Sequence, residues 1–168
     1  NAQAACALAV RAGATTEACA GSLAAFTGLA HRMAFVTEVA GVRYVDDSKA
    51  TTPHATLAAL AGLTGAVLIA GGRNKGLDLA PLAEGCPRAV VAIGEAAGAV
   101  VVVYEGRCPV VTAESMEEAV SLAHRLAAGT GTVLLSPGCS SFDWYGSYDE
   151  RGRDFQRLVG ALAGTVGR

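Results

Sequence analysis

Apolar and polar positions alternate along this chain in two rhythms, one helical and one extended. Residues 2–11 are mostly Ala, Leu and Val, good helix formers, and Gly13 is a natural stop. Thr15 or Thr16 can then cap a second helix running to about residue 26. After Gly28, residues 33–39 are apolar and β-forming, Gly41 turns the chain, and residues 42–45 resume as the partner of a hairpin. Pro53 suits the first turn of a helix reaching residue 63. Beyond it, residues 66–70, 89–93, 109–112 and 132–135 are short apolar runs that predict strands. Residues 79–84, 94–103 and 114–128 read as helices between them, the last with Ser115 as its cap ahead of Glu117 and Glu118. A final helix is expected from residue 148 to 162, ending at Gly164.

Strands that are apolar at every position need cover on both faces, which crossover helices supply. The expected architecture is therefore α/β: a Rossmann-like, doubly wound, mostly parallel sheet with an N-terminal β-hairpin. Ligands of such sheets bind beyond the carboxyl ends of the strands, so polar clusters there are the candidates for chemistry.

The bulk properties narrow the function classes. With 168 residues and a mean hydropathy of +0.39, one main domain with a sizeable core is expected. A net charge of −2 and a pI near 5.9 provide no basic field for nucleic acid. No apolar stretch approaches the roughly 20 residues of a membrane helix. Five cysteines, an odd number without a Cys-x-x-Cys pair, argue against a disulfide framework or a zinc site and fit free thiols in a reducing cytoplasm. No signal peptide is visible, and the start at Asn1 without Met reads as a fragment or processed chain.

Three polar clusters follow apolar strands. The first, Asp46-Asp47-Ser48-Lys49-Ala50-Thr51, ends near a helix N-terminus, where backbone N–H groups favour anions; composition alone favours a solvated turn with a helix cap. The second, Gly71-Gly72-Arg73-Asn74-Lys75-Gly76, has the composition of an anion cradle or of an exposed turn, and is neither a Walker A loop nor a dinucleotide fingerprint. The third is Ser136-Pro137-Gly138-Cys139-Ser140-Ser141-Phe142-Asp143, whose hydroxyls could bind a carboxylate. A serine hydrolase lacks support, since there is no Gly-x-Ser-x-Gly elbow and only His31, His54 and His124 could act as base. His54 and His124 read as structural, and Cys139 as a buried, inert thiol.

In order and wording these clusters, with His31-Arg32 ahead of them and the tail Tyr148-Asp149-Glu150-Arg151-Gly152-Arg153-Asp154-Phe155 behind, resemble the Mur ligases over essentially the whole chain. The Asp-Ser-Lys-Ala-Thr wording resembles the branch that adds D-glutamate. The resemblance implies that residues 1–30 are a helical remnant of a central ATP-binding domain and that residues 31–168 are the C-terminal, amino-acid-binding domain. It implies an ATP-dependent amide-bond-forming ligase that joins D-glutamate to UDP-N-acetylmuramoyl-L-alanine through an acyl phosphate, in cytoplasmic peptidoglycan precursor synthesis, and acts as a monomer. ATP and Mg2+ would be handled upstream, since the phosphate loop and metal ligands are not in this sequence, and no catalytic residue or metal ligand is assigned here.

By the same resemblance, Lys49, Thr51, Lys75, Ser141, Phe142 and Tyr148 would bind the amino acid, and Asn1, Arg32 and Asp47 would face ATP. Three positions depart from the family pattern: Thr52 where Asn is common, Gly138 where Ala is common and Tyr148 where Phe is common. None removes a charge that a dicarboxylate needs. Another Mur- or folate-type ligase would share the sheet and the Arg32 role but take a different amine. A non-catalytic amino-acid-binding module would keep only the pocket.

Overall fold

A computed structural model describes residues 2–166. Two helices come first, α1 (Ala2–Arg11) and α2 (Thr16–Ala25), the second capped by the Thr15 side chain accepting from the Ala18 amide. Neither contains a buried residue. The remainder forms a six-stranded sheet in the order β1-β2-β6-β3-β4-β5. Its strands are β1 (Ala34–Val39), β2 (Val42–Asp46), β3 (Val67–Gly71), β4 (Ala89–Ile93), β5 (Val110–Ala113) and β6 (Thr132–Gly138). Among the described strands the β1–β2 hairpin pairs antiparallel and the four other pairings are parallel. The mostly parallel α/β sheet with an N-terminal hairpin is thus the architecture the sequence predicts.

Successive side chains of a strand point to opposite faces, and that period of two divides the core into two layers. Val67, Ile69, Val133 and Leu135 pack with α5 (Met116–Ala127) and α6 (Tyr148–Val166) on one face. Leu68, Ala70 and Leu134 pack on the other with α3 (Pro53–Leu60), a 3-10 helix (Ala80–Glu84) and α4 (Ala97–Tyr104). Leu68, Ile69, Leu134 and Leu135 are fully buried, and each contributes roughly 1.5–3 kcal/mol by leaving water.

β6, last in sequence, inserts between β2 and β3. The chain leaving β6 turns to α6 on one face, whereas the chains leaving β2 and β3 turn to α3 and the 3-10 helix on the other. Connections that diverge in this way leave a crevice at the strand ends, the preferred ligand position in open α/β sheets.

Several boundaries differ from the sequence expectation. β6 runs three residues beyond Leu135, through Ser136 and Pro137. Proline cannot donate to a ladder, and the β3–β6 register slips between Ile69 and Gly71 where Pro137 must be passed. Residues 79–84 make only a single 3-10 segment, because Pro81 opens it and Gly85 closes it. α4 starts at Ala97, since Gly94 at φ +67° first folds the chain back over β3, where the Ala96 amide donates to the Gly72 carbonyl. α3 stops at Leu60, and α6 continues past Gly164 to Val166.

Candidate functional site

The loop after β2 is interior. Asp46, Asp47 and Ser48 are all buried, which overturns the reading of this segment as a solvated turn. Asp46 accepts from the Ser48 amide at 2.9 Å and from Gln156 Nε2 at 2.7 Å, and its Oδ2 meets His31 Nδ1 at 2.6 Å. The other ring nitrogen of His31 lies 2.9 Å from Asp149 on α6. His31 therefore ties the chain entering the sheet to both β2 and the final helix. Asp47 accepts from the Met33 amide at 3.1 Å and from the Ser136 hydroxyl at 2.8 Å. Burial raises its carboxyl above the ordinary carboxylate range, against the opposing pull of those two hydrogen bonds and of Arg32.

The glycine loop after β3 folds tightly against the end of β6. Gly71 and Gly72 sit at φ +126° and +122°, and a Cβ on either would collide with the carbonyl oxygens of Ile93 and Ser140. That close approach lets Arg73 and Ser140 exchange backbone hydrogen bonds at 2.9 and 3.1 Å, with the Ser140 hydroxyl adding a third at 3.0 Å to the Arg73 carbonyl. Arg73 Nε reaches Glu95 at 3.2 Å. Lys75, two residues on, holds its ammonium 4.5 Å from the centre of the Phe142 ring, a cation–π contact that steadies the charge without neutralising it.

Between these loops lies a cleft of about 400 Å³ lined by Thr51, Thr52, Arg73, Lys75, Leu77, Ser140, Phe142 and Tyr148. Lys49 stands at its edge, donating to the Tyr148 hydroxyl at 2.8 Å with Nζ 4.6 Å from that ring centre. The sequence has only two lysines, and both are here. Neither forms an ion pair among the described residues. Two unneutralised ammonium groups beside two threonines have the chemistry to hydrogen-bond anionic groups such as carboxylates.

Of the six residues expected to bind the amino acid, Thr51, Lys75, Phe142 and Tyr148 line this cleft and Lys49 borders it through Tyr148. Ser141 does not line it; it is 2% exposed, and its neighbour Ser140 takes the lining position because the bridge to Arg73 turns Ser140 toward the glycine loop. Arg32 and Asp47 are together but elsewhere, in a second cleft of about 400 Å³ shared with Met33, Ala58 and Gly62, which Lys49 also borders. Asn1 lies outside the described residues. Among the described residues no cluster of three or more His, Cys, Asp or Glu could hold a metal ion.

Arg73 and Arg151 also belong to this region, though nothing in the sequence marks out their roles. Arg73 stands two residues before Lys75 in the glycine cluster and lines the same cleft, but no local pattern distinguishes a lining cation from a solvated one. Arg151, 1% exposed, is the largest fully buried side chain. Its guanidinium donates to the Ser48 hydroxyl and carbonyl at 2.9 and 2.8 Å and to the Cys139 carbonyl at 3.2 Å, joining the loops after β2 and β6. Burial lowers its pKa to about 10. An arginine buried against neutral acceptors carries no periodicity by which sequence could find it.

Residues 31–139 match the profile of the Mur ligase, glutamate ligase domain family. UDP-N-acetylmuramoylalanine–D-glutamate ligases are among the similar curated proteins. That of Syntrophotalea carbinolica is 48% identical over 83% of this chain and 32% of its own length. Those of Methylococcus capsulatus and Pseudomonas aeruginosa are 46% and 45% identical over 97% of this chain and 36% and 38% of theirs. The chain thus spans about a third of the length of these relatives. A crystal structure of a murein peptide ligase from Psychrobacter arcticus superposes over 96% of this chain and 36% of its own, with a TM-score of 0.61 at 20% identity, a likeness of fold alone.

Proposed function

The chain belongs to the Mur ligase family through its glutamate ligase domain, and from that premise we propose that it is the amino-acid-binding part of an ATP-dependent ligase joining D-glutamate to UDP-N-acetylmuramoyl-L-alanine. The observation that carries this reading is the convergence of both lysines, Thr51 and two aromatic rings at the switch-point crevice. A free dicarboxylic amino acid loses the hydration of two carboxylates on binding. Charge-assisted hydrogen bonds from Lys49 and Lys75, with the Thr51 hydroxyl, replace it. The Phe142 and Tyr148 rings hold the ammonium groups in place, so less conformational entropy is lost when the ligand arrives.

In the proposed reaction the carboxylate of the nucleotide substrate is first phosphorylated by ATP. The amine of D-glutamate then attacks the acyl carbon, the C–N bond forms, the C–O bond to the phosphoryl group breaks, and inorganic phosphate leaves with the proton that the amine nitrogen gives up. This domain contributes position, holding the amine where attack is geometrically ready. Arg32 and Asp47, in the second cleft, are assigned to the nucleotide, with Lys49 at the boundary between the two. Residues 1–30 are assigned to the preceding domain, a reading supported by the absence of any buried residue in α1 and α2. The site of action is proposed to be the cytoplasm, where the nucleotide precursors are; no described helix is long and apolar enough to cross a membrane.

The test is phosphate release by the full-length ligase carrying this chain. Wild type is expected to respond to D-glutamate within a panel of amino acids. Lys75→Ala should raise the KM for D-glutamate roughly 10- to 100-fold, the worth of a hydrogen bond to a charged group, with the KM for ATP little changed. Response to a different amino acid, or equal loss of both substrates, overturns the proposal.

A further inference from the structure

Tyr148 occupies a position where the chemistry of its partner dictates what its own proton can do. Lys49 Nζ lies 2.8 Å from the phenol oxygen. An ammonium has three donors and no acceptor, so the phenol must accept in this contact. One of its lone pairs is then occupied, and its single O–H proton remains to be donated elsewhere. Among the described residues no other hydrogen bond involves that hydroxyl, although the Tyr148 backbone carbonyl is separately fixed by the Ser48 hydroxyl at 2.7 Å. Tyr148 also lines the cleft shared with Thr51 and Lys75. The phenol proton therefore has no acceptor among the described residues.

We propose that the Tyr148 hydroxyl is a specificity-determining donor to a carboxylate oxygen of the amino-acid substrate, polarised by Lys49 and absent from any ligase with phenylalanine at this position. The inference rests on the functional reading above. A hydroxyl that accepts from a cation is a better donor, because the positive charge draws electron density from its oxygen. The substrate carboxylate completes the chain Lys49 Nζ–H to phenol oxygen, phenol O–H to carboxylate. The arrangement also accounts for the hold on Lys49, whose charge is kept at the cleft by a neutral partner that leaves it available for an anion.

Tyr148→Phe in the full-length ligase preserves the ring and the cation–π contact and deletes only the hydroxyl. The KM for D-glutamate is expected to rise roughly tenfold, with kcat and the KM for ATP within about twofold of wild type. A hydroxyl acting only by holding Lys49 would lose its effect once Lys49 is gone. A double-mutant comparison separates the two roles: on a Lys49→Ala background, Tyr148→Phe should still weaken D-glutamate binding several-fold. Where turnover on that background is slow, the D-glutamate-dependent thermal shift of the full-length protein gives the same comparison. An unchanged KM in Tyr148→Phe, or no further effect without Lys49, overturns the proposal. Failure of wild type to use D-glutamate at all would instead overturn the functional reading on which it rests.

Discussion

Arg151 Nε donates to the Ser48 hydroxyl at 2.9 Å, and that same hydroxyl donates onward to the Tyr148 carbonyl oxygen at 2.7 Å. A buried guanidinium without an ion pair among the described residues thus holds the loop after β2 against the start of α6, the two segments that carry Lys49 and Tyr148. Removing it leaves the Ser48 and Cys139 carbonyls without their donors. Arg151→Met should lower stability by about 3 kcal/mol, measured by denaturant unfolding. Arg151→Lys should recover only part of that, because a point ammonium cannot reproduce the fork that reaches both loops. Full stability in Arg151→Lys would show that charge alone matters there.

Gly152 follows on the same helix and faces the His31 ring. A Cβ at this position would collide with the imidazole that joins Asp46 to Asp149. In an exposed helix, Gly→Ala gains roughly 1 kcal/mol. Here the sign should reverse: Gly152→Ala is expected to lower the melting temperature and, in the full-length ligase, to raise the KM for ATP, because His31 precedes Arg32 directly. Thermal unfolding and ATP titration check the two effects. A stabilised Gly152→Ala protein would mean that His31 can move aside at no cost.

The sheet was readable because β3 and β4 are apolar at every residue, as are Val133, Leu134 and Leu135 of β6, a pattern that only two-sided cover explains. The hairpin was readable from Gly41 between two β-forming runs. What escaped was polar structure placed inside. Asp46, Asp47 and Ser48 have the composition of an exposed turn, and only the long-range partners His31, Ser136, Gln156 and Arg151 make them interior. Ser140 and Ser141 are chemically identical, so which one faces the cleft depended on the Arg73 bridge. The continuation of β6 through Pro137 likewise depended on a register slip that no local pattern encodes.

Arg73 and Glu95 are each about half exposed and 3.2 Å apart, so their pairing should contribute under about 1 kcal/mol to stability. Its effect should fall on binding, since Arg73 lines the cleft and Glu95 restrains it. Arg73→Ala is expected to raise the KM for D-glutamate about three- to fivefold with an unchanged melting temperature, and Glu95→Gln to lower it slightly by releasing the guanidinium. Both effects should shrink at high salt. Steady-state kinetics at two ionic strengths would show it, and indifference of both variants would place Arg73 outside the binding field.

Cys139 gives a pH dependence with a definite sign. Its thiol is fully buried beside Arg151, and burial raises its pKa from about 9 to about 11, with Arg151 pulling the other way. The unfolded chain loses this proton near pH 9, whereas the folded chain keeps it to about pH 11. Between those values the folded state binds more protons, so stability falls as pH rises. Two units correspond to about 2–3 kcal/mol at full development. Tyr44, pushed up to about 12 by burial, contributes a loss of the same sign one unit higher. Cys139→Ala should therefore cost stability at pH 7 through the small cavity it leaves, yet lose less than wild type between pH 9 and 11. Denaturant unfolding of both proteins across that range measures the difference. Parallel curves would mean that the buried thiol ionises in the folded protein as readily as in water.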